Sequence, residues 1–114
     1  MKRVFYTAFF LLLPACISPD KKPPEGIMSK AQMVSYLIDM HIEEAKISTL
    51  RIPEDTVKKF YGKIQQELFR KHGVSDSIYF KSLSYYLYDV KSMDDIYAAV
   101  VDSLSLRERL HNVN

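Results

Sequence analysis

A chain of 114 residues is long enough for one domain, with little to spare. Hydrophobic residues make up 47% and charged residues 26%, a balance typical of a globular protein rather than a disordered one. The formal net charge is +2, but Lys2 and Arg3 lie in a leader that we expect to be removed, which leaves 14 basic and 14 acidic residues in the mature chain. Bulk charge therefore gives no support to nucleic-acid binding, and we expect no nucleic-acid partner.

The leader ends in the stretch Leu13-Pro14-Ala15-Cys16, which contains the only cysteine of the chain. A positive n-region and an apolar run of about ten residues precede it, and about ten helical residues cover only half of a bilayer core. A small residue before a lone cysteine at this place is the pattern of a bacterial lipobox. We therefore predict a lipoprotein signal peptide over residues 1–15 and lipidation of Cys16, with the acyl chains as the membrane anchor. The alternative is a buried structural thiol.

Residues 16–27 are predicted to be the lipidated cysteine and a flexible tether. Pro19, Pro23, Pro24 and Gly26 exclude a regular helix there and favour an extended chain. The residue after the cysteine resembles those of lipoproteins that are sorted to the outer membrane by default. Surface-export signals contain an acidic cluster after the cysteine, and this sequence has none there. We therefore expect a cell-envelope protein anchored in the outer membrane and facing the periplasm.

Residues 28–114 are predicted to form an all-α domain, a small bundle of about four helices. Start and stop signals place the helices near 30–51, 54–72, 76–88 and 90–110, with a frayed tail. No internal repeat or strand alternation is present. Apolar positions at helical spacing predict which faces are buried. The expected buried residues after the first helix are Val57, Phe60, Tyr61, Ile64 and Leu68; Tyr79, Phe80, Leu83, Tyr86 and Leu87; and Met93, Ile96, Tyr97, Val100, Val101 and Leu104.

Several motifs then carry a resemblance to a known family. They are the lipobox leader with its Pro-rich tether, Asp39-Met40-His41 with Glu44-Ala45, Lys71-His72-Gly73-Val74-Ser75, Ser82-Leu83-Ser84-Tyr85-Tyr86 and a helix around Ile96-Tyr97. Together they are similar to a family of short Bacteroidetes lipoproteins of unknown function. That family has no established activity, so the resemblance implies no catalytic residues. Residues 65–89 also resemble, more loosely, the helical chain-binding segment of periplasmic parvulin-type chaperones, which would imply binding without catalysis.

His41 is the most suggestive single residue, because it falls near the centre of the apolar face of the first helix with Glu44 three residues further on. One hypothesis makes it a general base or ligand oriented by Glu44. The favoured interpretation is a neutral core histidine with a buried polar partner. Under that interpretation His41→Ala should cost roughly 2–4 kcal/mol.

Tyr85 and Tyr88 lie on the polar side of the third helix, close to Lys81. Exposed aromatic residues are enriched at interfaces, since tyrosine covers much area at a low entropic cost. These three residues are the candidate partner-binding site. The alternative is that the fourth helix or the tether covers the two tyrosines.

The remaining expectations concern function. The sequence has no glycine-rich phosphate loop, nucleophile motif or metal-ligand set, so we expect no metal, no cofactor and no enzymatic activity. We predict a membrane-anchored helical module that binds an envelope protein or an unfolded chain. A structural envelope lipoprotein without a ligand and, less favoured, an enzyme centred on His41 are the alternatives.

Overall fold

The computed structural model of the chain describes residues 22–113, which form four α-helices: α1 (Lys30–Ser48), α2 (Glu54–His72), α3 (Asp76–Leu87) and α4 (Val90–Val113). This part of the chain contains no strand. Helix α1 packs against both α2 and α4, and α3 packs against α4. The prediction of a small all-α bundle of four helices is confirmed.

The start of α1 is defined by a capping box. The Ser29 hydroxyl accepts a hydrogen bond from the Gln32 amide at 3.1 Å, and the Gln32 side chain accepts one from the Ser29 amide at 2.8 Å. Met28 and Met33 on either side are both buried, as expected of a hydrophobic staple. The cap therefore fixes the angle at which the preceding segment enters the bundle.

The junction between α2 and α3 is a tight left-handed turn. Gly73 has φ 64°, the Gly73 amide donates to the Arg70 carbonyl at 3.2 Å, and the Val74 amide donates to the Phe69 carbonyl at 3.0 Å. This is a Schellman motif, which favours glycine because a side chain is strained at positive φ. Ser75 then caps α3 by accepting a hydrogen bond from the Ile78 amide at 3.1 Å.

Two helix ends differ from the prediction. Helix α1 ends at Ser48 rather than near residue 51, because Leu50 bonds back only three residues, to the Ile47 carbonyl at 2.9 Å. Helix α4 runs to Val113, so the prediction of a frayed tail from residue 107 is wrong. Residues 107–113 contain no proline or glycine that would end the helix, and Arg, Glu and Leu favour its continuation.

The core is centred on Tyr36, whose side chain is fully buried in α1. Its ring lies 4.4 Å from the ring of Tyr79 on α3 and 5.6 Å, stacked, from that of Phe69 on α2. Aromatic pairs at such distances add about 0.5–1.5 kcal/mol each beyond the area they bury. Three helices therefore meet at one aromatic cluster, around which the aliphatic residues of α1 and α4 pack.

Several side chains that the helical periodicity places inside are exposed. These are Phe60 of α2, Phe80 and Leu87 of α3, and Tyr97 and Val101 of α4. In α3 the buried line is instead Tyr79, Ser82 and Tyr86. A serine at its centre shifts the buried face, because the small Ser82 side chain leaves room for the segment before α1 to approach and hydrogen-bond to it.

Candidate functional site

The predicted partner-binding residues Lys81, Tyr85 and Tyr88 lie together along one open cleft of 610 Å³. The remaining lining residues are Ile27, Ser77, Phe80 and Ser84. Phe80 is 51% exposed, Tyr85 41% and Tyr88 93%. The alternative that α4 or the tether covers the two tyrosines is therefore wrong for the described residues. Phe80, a residue predicted to be buried, is a third aromatic wall that the sequence analysis missed.

The position of the cleft is set by the place where α3 ends and by the residues that share one face of this helix. Lys81, Ser84 and Tyr88 follow one another at spacings of three and four residues, which places them on a single helical face. Tyr88 is the C-cap residue of the helix, and it is almost fully exposed. The opposite wall is Ile27, in the segment that leads into α1.

That opposite wall is held to α3 by two hydrogen bonds to the backbone of Met28, which we refer to as the Met28 clasp. The Met28 amide donates to the Ser82 hydroxyl at 2.8 Å, and the Tyr86 hydroxyl donates to the Met28 carbonyl at 2.7 Å. The Ser82 hydroxyl in turn donates to the Ile78 carbonyl at 2.6 Å. Because both bonds to Met28 are buried, they satisfy backbone groups that would otherwise be costly to enclose.

The exposed rings of the cleft are supported by buried ones. Tyr85 meets Tyr86 edge to face with ring centroids 5.1 Å apart, and Phe80 meets Tyr79 in the same way at 5.2 Å. Tyr86 is fixed by its bond to Met28, and Tyr79 belongs to the central aromatic cluster. The cleft walls are therefore attached directly to the core, so a ligand would meet a largely preformed surface.

His41 and Glu44 form a pair at the surface rather than a polar core site. His41 Nδ1 lies 3.2 Å from Glu44 Oε2, with 40% and 39% of the two side-chain surfaces exposed. The interpretation of His41 as a buried core histidine is wrong, because its position lies at the edge of the face that α1 turns toward α2 and α4. Ser48, on the same side of α1, donates its hydroxyl to the Ala45 carbonyl at 2.8 Å.

We now expect His41→Ala to change the free energy of unfolding by about 0.5 kcal/mol or less, because a polar contact between two partly exposed side chains contributes little. Chemical denaturation of the wild type and the variant measures this. A loss of the 2–4 kcal/mol expected for a core histidine would mean that the residue is buried in solution.

A partly buried polar contact between α1 and α2 is formed by other residues, which the sequence analysis did not single out as a pair. Asp39 Oδ2 lies 2.8 Å from His72 Nε2 and 2.9 Å from Lys71 Nζ. The His72 ring also packs edge-on against Tyr36 at 5.5 Å. Burial alone would raise the pKa of Asp39, but the hydrogen bonds from Lys71 and His72 outweigh it and hold that pKa below its usual value.

The lowered pKa of Asp39 predicts that the domain becomes less stable at acidic pH. Because the pKa of Asp39 in the folded state lies below its usual 3.8, its stabilising effect is complete above that value and is lost as the pH falls through the folded-state pKa. Asp39→Asn should lower the free energy of unfolding by about 1 kcal/mol at neutral pH. The difference from the wild type should shrink as the pH falls below 3.8 and through the lowered pKa of Asp39.

Urea denaturation of both proteins across this pH range is the measurement. The exposed Asp94→Asn is the matched control and should follow the wild type at every pH. A constant difference between Asp39→Asn and the wild type would contradict a role for the carboxylate charge.

Within residues 22–113 no three His, Cys, Asp or Glu side chains converge in a way that could hold a metal ion. In the same part of the chain, no helix has the length and apolar composition required to cross a bilayer. Cys16, the predicted lipidation site, lies outside the described residues, as do residues 17–21 of the predicted tether.

These features define a small all-α domain with an exposed aromatic cleft supported by its core. The family model for a domain of unknown function (DUF4296) matches residues 24–109, and the chain belongs to that family. The prediction of a family of unknown function is thereby confirmed. Comparisons with curated proteins and with solved structures found no match.

Proposed function

We propose that this protein is a lipid-anchored module of the cell envelope that uses the aromatic cleft to bind another protein, either an envelope protein or an unfolded chain. The observation that carries the proposal is the cleft itself. Three aromatic side chains, Phe80, Tyr85 and Tyr88, are exposed on one continuous surface beside Lys81. Clustered exposed apolar groups of this kind mark interaction sites, whereas scattered ones do not.

The proposed anchor is Cys16, acylated after removal of residues 1–15. The sequence pattern supports it, as does the resemblance to short Bacteroidetes lipoproteins. The predicted tether from Ile17 to Ile27 separates Cys16 from Met28, which is buried in the bundle, and an extended chain of this length reaches roughly 30 Å. The domain would therefore stay close to the membrane surface, on the periplasmic side of the outer membrane under this proposal.

The proposed role is binding rather than catalysis. His41 and Glu44, the pair on which an enzymatic hypothesis rested, lie 3.2 Å apart on α1 with 40% and 39% of their side-chain surfaces exposed. The nearby Ser48 hydroxyl is engaged by a backbone carbonyl and so is not poised as a nucleophile. The looser likeness to the chain-binding segment of parvulin-type chaperones covers residues 65–89, which include most of the cleft.

One experiment tests anchoring and binding separately. Cells expressing the wild type or Cys16→Ser are fractionated, the precursor and mature forms are separated, and acylation is followed with a labelled fatty acid. Under the proposal the serine variant is neither acylated nor processed, whereas the wild type is both. Normal maturation and membrane retention of Cys16→Ser would refute the anchor. Affinity capture of the wild type after crosslinking in native membranes then tests binding, with Tyr85→Ala/Tyr88→Ala as the variant that should lose the captured protein.

A further inference from the structure

We infer that the cleft binds a polypeptide segment in which a large apolar side chain stands next to a carboxylate. This deepens the proposed function, since it rests on the cleft being a protein-binding surface, and it does not depend on the anchor. Two properties of the cleft lining support this inference: its apolar walls and its single charged side chain.

The apolar part of the ligand follows from the walls. Phe80, Tyr85 and Tyr88 present ring surface, and Ile27 closes the other side. The volume of 610 Å³ falls within the roughly 300–1,000 Å³ typical of ligand-binding clefts. Because Tyr86 and Tyr79 support two of these rings from beneath, a large side chain can pack against them with little reordering.

The acidic part of the ligand follows from Lys81. Among the residues that the structure describes, this is the one cation that lines the cleft, and no acidic residue lines it. None of the salt bridges found within residues 22–113 includes Lys81. A carboxylate entering the cleft would thus meet an uncompensated positive charge beside apolar surface, where pairing is stronger than in open water. A basic ligand would be repelled, which supplies specificity.

The charge of the surface favours a polypeptide over a bilayer. A membrane surface recruits proteins through several basic residues, each of which contributes about 1 kcal/mol near anionic lipid. The cleft offers one, Lys81, beside its aromatic side chains. A segment of chain, with one apolar and one acidic side chain in sequence, matches both features.

The test uses the full chain reconstituted in phosphatidylcholine nanodiscs and four fluorescein-labelled Gly/Ser peptides, which carry Phe-Asp, Phe-Asn, Phe-Lys or Ala-Asp at their centres. Fluorescence anisotropy gives the affinities. Phe-Asp should bind about tenfold more tightly than Phe-Asn, and Phe-Lys and Ala-Asp should bind more weakly still. Lys81→Glu should reverse the order of Phe-Asp and Phe-Lys. Lys63→Glu, an exposed charge reversal on α2, is the matched control and should preserve it.

Equal affinities for Phe-Asp, Phe-Asn and Phe-Lys, or an unchanged order in Lys81→Glu, would overturn the inference. So would tight binding to phosphatidylglycerol vesicles, lost in Lys81→Glu, with no binding of any peptide, because the surface would then face a bilayer. If no peptide binds but crosslinking in membranes still captures a protein that depends on Tyr85 and Tyr88, the inference fails and the proposed function stands. If that capture fails too, both fail.

Discussion

Replacing Ser82 by alanine and Tyr86 by phenylalanine together should destabilise the domain by about 2–4 kcal/mol. The two changes remove both side chains of the Met28 clasp and leave the Met28 amide and carbonyl without those partners. A buried backbone group that loses its hydrogen bond costs about 1–3 kcal/mol. The sum is not simply additive, because the two side chains hold the same residue.

Denaturant unfolding of the double variant and of each single variant measures this destabilisation and the coupling between the two bonds. Ser84→Ala and Tyr88→Phe make the same chemical changes on the exposed side of α3 and serve as controls, with expected effects within about 0.5 kcal/mol. If the double variant unfolds with the free energy of the wild type, Met28 is not held by these bonds in solution. The cleft would then lack its second wall.

Tyr85→Ala combined with Tyr88→Ala should weaken binding of the partner by about 2 kcal/mol or more, which is roughly a thirtyfold loss of affinity. Stability should fall by only about 1 kcal/mol or less, since Tyr88 is almost fully exposed and Tyr85 loses mainly its edge contact with Tyr86. A large effect on affinity without a large effect on folding separates a docking surface from a core.

The Phe-Asp peptide and the crosslinked partner are the two ligands for this measurement, and circular dichroism follows folding. Leu110→Ala is the matched control, because Leu110 is an exposed apolar residue near the end of α4 and lies outside the cleft. Loss of folding in the double variant would place the tyrosines in the core. Unchanged affinity in a folded double variant would instead favour a structural lipoprotein without a ligand.

Most helix boundaries could be predicted from the sequence because they depend on local chemistry. Pro53 and Gly73 bound α2 at the predicted residues, and the Ser29 and Ser75 caps are formed by side chains within three residues of the amides they bind. Such signals act over one helical turn, which a sequence displays directly.

The burial of individual side chains could be predicted less well than the helix boundaries. It depends on which residues from distant parts of the chain pack against each helical face. Ser82 counts as polar in any hydrophobic pattern, yet it is buried because its hydroxyl meets the Met28 amide, 54 residues away in the chain. Because the buried face of α3 includes Ser82 and so differs from the predicted face, Phe80 is left exposed. Likewise, Asp39 and His72 are 33 residues apart and become partners only when α1 packs against α2.

The candidate site was predicted in part. Tyr85, Tyr88 and Lys81 are exposed and adjacent, as expected from their place on the polar side of α3. The second wall at Ile27 was not foreseen, because it lies in a segment that the prolines and glycine marked as tether. The hydrophobic staple between Met28 and Met33 could have indicated this wall, because it places the residue next to Ile27 against the bundle.

Site-specific photocrosslinking in native membranes tests the central claim most directly. A benzophenone amino acid replaces Tyr88 in the cleft or Leu110 outside it, and adducts of the full chain are identified by mass spectrometry after irradiation. A binding cleft predicts discrete polypeptide adducts from position 88 that are absent from position 110 and are reduced by Lys81→Glu. Identical adducts from both positions, or none from position 88 in membranes where the protein is properly processed, would contradict the proposal that this surface binds a protein.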